Sequence, residues 1–275
     1  MKLAYKAFLS FILIISIGLI LLNLYGLTQD LRPKNLTPDV LRFGDQDVVL
    51  SKQDFFQLIE KNAQETPLEY AKRVTKVIAD GTAHLDWETY DPVSFHQLVP
   101  AWENWILFLM GKYSGIPEYE RYHFSNPYKS IERGIGICGD ASIVMSQMLE
   151  KNGIEADILT FPGHVVVTAN IDNQQFIFDA DFGVVIPSSA EQLNEDIRVI
   201  KGLYSGQGYP ESDDRFFEYT YSKPFTVWEG PEHFITKKFY FEKFAYVTKW
   251  MIPILGLLLF LVVIKIKNVS NKDNR

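Results

Sequence analysis

The chain has 275 residues, a formal net charge of −7 and a single cysteine, Cys138. The acidic balance, with no cluster of Lys and Arg, excludes a phosphate-binding surface, so no nucleic-acid partner is expected. One cysteine excludes an intramolecular disulfide, and with no HxxxH or HxH pairing no metal site is expected.

In chain order, Ala7 to Leu27 comes first, an uncharged apolar run preceded by Lys2 and Lys6. At 1.5 Å per residue it can cross ~30 Å of hydrocarbon, and it is too long for an ordinary signal-peptide core. Residues 1–27 are therefore expected to be a membrane anchor. Residues 28–67 read as a linker and entry helix, with Pro33, Pro38 and a helical stretch from Asp54 to Asn62. Leu68 to Ala79 repeats apolar residues at helical spacing and stops at Gly81. A helix around Ala101 to Lys112 follows, with Trp105, Leu107, Phe108 and Leu109 as its expected core face. Trp87, Trp102, Trp105 and Tyr128 are expected to be core or cleft wall.

Ser130 to Gly139 reads SIERGIGICG and leads into a helix from Asp140 to Asn152, closed by Gly153. Strands are expected at Ile154 to Phe161, His164 to Ile171 and Gln175 to Phe178, the last two joined at Asp172-Asn173. Beyond Pro187, Ala190 to Val199 reads as helix, Gly202 to Asp214 as loop, and the aromatic stretch Phe216 to Trp228 as strands. A second apolar run, from about Phe244 to Ile264, is broken only by Lys249, which is expected to snorkel to the interface beside Tyr246 and Trp250. Residues 68–243 are then the folded domain, and 244–275 a second membrane helix with a basic tail (Lys265, Lys267, Lys272, Arg275). The positive-inside tendency puts both basic ends in the cytoplasm and the middle of the chain in the periplasm or outside the cell.

Chemistry concentrates at Cys138. A thiol attacks a carbonyl as thiolate, and a helix start stabilises negative charge through unpaired N–H groups and the macrodipole. An imidazole can take the thiol proton and later protonate the leaving group. Of the five histidines only His164 leads an apolar strand downstream of the Cys138 helix. The hairpin brings the start of that strand near the end of its partner, which makes Asp179 the expected orienter of His164. Asp181 shares the same period-2 face and is the competing candidate. Asp140 is expected to interact with the helix N-terminus. Cys138 could instead be a small buried hydrophobe, but its glycine-rich lead and the downstream His and Asp outweigh that reading.

These residues carry a family resemblance. GIGICGDASIVMSQMLEKNGIEADIL, then GHVVV, then FIFDADFG resembles the core of the transglutaminase-like superfamily, and EYAKRVTKVIADGTAHLDWE resembles the helix that precedes it. The resemblance covers about residues 68–187. It implies an α+β, papain-like fold in which a helix opening at the nucleophile packs on an antiparallel sheet. It implies acyl transfer or amide hydrolysis by Cys138, His164 and Asp179, with neither metal nor organic cofactor, on a protein, peptide or envelope-glycan substrate. Aromatics common after the Cys and two after the His are here Gly139 and Val166. That departure leaves room for a non-catalytic envelope module, linked to surface polysaccharide, as the alternative.

Overall fold

The computed structural model describes residues 2–44, 47, 48 and 50–273. Along the chain these form α1 (Lys2–Gly26), α2 (Lys52–Leu58), α3 (Pro67–Gly81), β1 (Ala83–His84), α4 (Ala101–Tyr113), α5 (Pro117–Glu120), α6 (Pro127–Arg133) and β2 (Ile135–Gly136). Then come α7 (Cys138–Lys151), β3 (Ala156–Phe161), β4 (His164–Ile171), β5 (Gln174–Asp179), β6 (Val184–Ile186) and α8 (Ala190–Glu195). Last are α9 (Glu211–Tyr221), β7 (Thr226–Trp228), α10 (Pro231–Phe234) and α11 (Thr236–Asp273). The chain divides into two compact units, one of residues 32–95 and 123–240, the other of 2–31, 96–122 and 241–273.

The first unit is built on a five-stranded antiparallel sheet of order β6-β5-β4-β3-β7. Alternation along the strands supplies both of its faces. Val167, Ala169, Phe176 and Phe178 face α7 and α3 in one core, while Val166, Ile177 and Val184 face Leu193, Phe217 and Tyr221 in the other. The β4–β5 hairpin turns on Asp172 and Asn173, both at positive φ (54° and 63°), the pattern of a type I′ turn. α3 starts on a reciprocal cap between Thr66 and Glu69, with Pro67 in its first turn. The α+β class, with a helix opening at Cys138 on an antiparallel sheet, is the one observed.

Several local expectations change. Phe216 to Trp228 contains only the short strand β7; its first part belongs to α9. There Asp214, Phe217, Thr220 and Tyr221 are buried at three- and four-residue spacing, and Glu211, Asp213 and Asp214 occupy the first turn. Burial of that face overrides the strand preference of its aromatics. Ala190 to Val199 is helical only to Glu195 and then tightens into a 3-10 turn over Ile197–Ile200. A second such turn, Ser205–Gln207, lies in the expected loop.

In the second unit, α1 and α11 are long and apolar enough to cross a membrane, with Phe11, Ile14, Leu258 and Leu261 exposed. Gly256 lies directly against Ser16, a small-residue contact of the kind that lets membrane helices approach closely. α4 is broken at Asn104, whose side chain accepts the N–H groups of Ile106 and Leu107 at 3.1 and 3.2 Å and caps the segment that follows. Of the expected α4 core face only Leu107 is buried, and Leu109 is exposed. Lys249 does not snorkel: it is buried and donates to the Glu103 carbonyl at 2.5 Å, while Tyr246 donates to the Glu103 carboxylate at 2.6 Å. A nearby backbone acceptor outcompetes the route to water. Of the expected basic flanks, Arg275 and the side chains of Lys2 and Lys272 lie outside the described residues.

Candidate active site

Gly134 ends α6 in the left-handed conformation (φ 63°), which turns the chain into β2. β2 pairs in parallel with β1, setting His84 beside Gly136. A Cβ on Gly136 would stand 2.8 Å from that of Asp140, so the close approach requires glycine. The Asp140 carboxylate in turn accepts the Ile137 N–H at 3.0 Å and the His123 Nδ1 at 2.7 Å, with Arg133 3.7 Å away. Burial resists the charge on Asp140, but His123, Arg133 and the Ile137 N–H outweigh it and lower its pKa. These contacts fix the residue just ahead of Cys138.

Cys138 opens α7, half-buried, at a cavity of about 280 Å³. One turn on, Ser142 donates to the Val165 carbonyl at 3.0 Å, tying the helix of the thiol to the strand of the imidazole. Pro162 and Gly163, the latter at φ 79°, turn β3 into β4 immediately before His164. The thiol lies near enough to the His164 ring to act on it, and both residues line the same cavity. The ring's Nε2 meets Asp179 Oδ2 at 2.8 Å, which leaves Nδ1 for the sulfur.

The strand register offsets these two residues. Val167 pairs with Phe178, so Val166 would lie across from Asp179, and His164 reaches it diagonally. Asp181 would face His164 if β5 continued, but the strand ends at Asp179 and the chain turns through Gly183 (φ 70°). The turn sends Asp181 to His84 instead.

Asp179 is fully buried and densely bonded. Its Oδ2 also accepts Tyr204 Oη at 2.7 Å and Tyr221 Oη at 3.4 Å, and its Oδ1 accepts the Phe182 N–H at 3.3 Å. Phe217 and Phe182 pack on the imidazole with ring centroids 4.8 and 5.9 Å away. Burial opposes charging of His164, but the Asp179 carboxylate and the thiol overcome it and raise its pKa well above the ordinary value. Tyr204 and Tyr221 are driven far above the usual phenol range by burial and by Asp179, so they stay protonated as donors.

Sequence reasoning missed a second buried cluster. His84 Nδ1 meets Asp47 Oδ1 at 2.5 Å, and its Nε2 meets the carbonyl and carboxylate of Asp181 at 2.9 and 3.1 Å. Burial opposes its charge, yet the two carboxylates push its pKa up to about 10. Nothing local marks it, because its partners lie 37 and 97 residues away in the chain. Among the described residues no group of three His, Cys, Asp or Glu side chains is arranged to hold a metal ion. The two positions lacking aromatics differ in surroundings: a Cβ on Gly139 would meet only the Phe234 ring, at 3.9 Å, whereas Val166 is buried in the second core.

Compared with known proteins, residues 59–199 match a family model described as a transglutaminase-like domain. No curated protein matches the chain. No solved structure matches it either.

Proposed function

The chain belongs to the transglutaminase-like family, and on that premise we propose that it is a membrane-associated thiol enzyme that transfers or hydrolyses acyl groups through Cys138, His164 and Asp179. The observation that carries this reading is one cavity shared by the only thiol, at the start of α7, and an imidazole bonded to a buried carboxylate. His164 takes the proton of the thiol as the sulfur attacks the carbonyl carbon of an amide. A C–S bond forms as the carbonyl π electrons move to oxygen, at the N-terminus of α7, where unpaired N–H groups stabilise an oxyanion. His164 then gives its proton to the leaving nitrogen and the C–N bond breaks, leaving a thioester. Neutral His164 next takes a proton from water or an amine, which attacks the thioester and releases the thiolate. Asp179 holds the ring in place, and Tyr204 and Tyr221 hold Asp179.

The two apolar helices support membrane association, and the basic flanks of these helices favour residues 28–243 on the outer side, facing an envelope protein, peptide or glycan. The test is the pH dependence of alkylation of Cys138 by iodoacetamide. An activated thiol reacts well below pH 8, and His164→Ala abolishes that reactivity; alkylation that follows an ordinary thiol pKa of ~8.5 overturns the reading. Gly139 and Val166, where many relatives carry aromatics, favour a second reading, a non-catalytic envelope module; under it Cys138→Ala keeps the cellular role.

A further inference from the structure

The cavity at Cys138 is also lined by Arg42, His84, His164 and Asp181, and by the aromatic faces of Phe182 and Phe216. Arg42 and two imidazoles face a single carboxylate around this opening, although the chain as a whole is acidic. Both nitrogens of His84 and Nε2 of His164 are taken by internal partners, and Asp181 bonds His84 while the Arg42 charge also favours its carboxylate. Arg42 differs. Its backbone is fixed by an N–H bond to the His84 carbonyl at 2.8 Å and by the bridge between Leu41 and Leu85. Its guanidinium is exposed, lies 5.0 Å from the Phe43 ring centroid and 5.4 Å from that of Phe182, and has no hydrogen-bonded acceptor among the described residues. Stacking on two rings orients the planar fork while leaving its N–H donors at the cavity mouth.

We propose that Arg42 is the specificity residue of this cavity, binding a carboxylate carried by the acyl substrate close to its reacting carbon. Such a group would take the bidentate, charge-assisted bonds that the guanidinium does not make among the described residues. The aromatic walls at Phe182 and Phe216 suit the apolar part of a short peptide beside that carboxylate. The inference rests on Cys138 being the nucleophile, and its test separates the two.

Full-length protein in detergent is alkylated in parallel with iodoacetate, which carries a carboxylate on the reacting carbon, and with neutral iodoacetamide. In both, sulfur displaces iodide at that carbon, and Cys138 is the only site. Arg42→Gln should lower the iodoacetate rate about fivefold relative to iodoacetamide, as expected for one partly solvated charge pair. Arg42→Glu should lower it further, and added salt should shrink the wild-type preference. An unchanged ratio in both variants overturns the proposal. The iodoacetamide pH profile alone reads the nucleophile, so the failure of one is not mistaken for failure of the other. The source of the carboxylate is read by protection of Cys138 from iodoacetamide by short peptides. Better protection by Ala-Gln-Ala with a free carboxylate assigns a chain end, and by Ala-Glu-Ala amide an acidic side chain. Equal protection by neutral Ala-Gln-Ala amide, or none by either anionic peptide, overturns the assignment.

Discussion

His164 and His84 are both buried imidazoles held by carboxylates, yet they differ in what else they touch. His164 shares its cavity with a half-buried thiol, while His84 spends both nitrogens on Asp47 and Asp181. Asp179→Asn removes the charge that most favours the His164 imidazolium, so the ring pKa should fall towards its ordinary value. Titration of the ring by NMR checks this, and alkylation of Cys138 below pH 8 should slow, because the ring takes the thiol proton less readily. His84 affects stability instead. Its folded pKa of about 10 exceeds the ordinary 6.5, so its contribution is complete below about pH 6.5 and is lost as pH rises towards 10. Urea unfolding should show stability falling across that window by several kcal/mol at most. His84→Gln should be less stable at pH 6 and show a weaker fall, the remainder coming from His164, whose pKa is also raised.

At the scale of elements, two turns decide where the chemistry sits. The Asp172-Asn173 turn sets the register of β4 and β5, and so the diagonal between His164 and Asp179. Asn tolerates the left-handed conformation and a β-branched residue does not, so Asn173→Val should cost ~1–2 kcal/mol of unfolding free energy. Asn173→Gly should cost nothing measurable. The approach of Gly136 to Asp140 fixes the start of α7. Gly136→Ala should destabilise the domain by about 1–3 kcal/mol and slow alkylation of Cys138, because Asp140 must shift and carries the Ile137 N–H with it. Both turns were legible in the sequence as Asp-Asn between two apolar strands and as glycines spaced before Cys138. α9 was not legible: its Phe and Tyr residues favour strands locally, and only burial against β4 and β5 selects the helix.

For the whole molecule, exposed apolar faces on α1 and α11 predict that the protein pellets with membranes and stays there after an alkaline carbonate wash. The proposed orientation predicts that a membrane-impermeant maleimide, once past any outer envelope barrier, labels Cys138 in intact cells. Labelling only after lysis would put residues 28–243 on the cytoplasmic side.

The sequence by itself determined the fold class, the two apolar helices, and the placement of Cys138, His164 and Asp179 at the ends of regular elements. Those features rest on local information: apolar periodicity, turn residues and helix stops. Only the tertiary structure decided that β5 ends at Asp179 and sends Asp181 to His84, that Tyr204 and Tyr221 support Asp179, and that Arg42 reaches the cavity of the thiol. Each of those placements joins residues far apart in the chain: the buried carboxylates of Asp179 and Asp181 need partners once the core has closed, whereas exposed Arg42 is set by its backbone bond to His84.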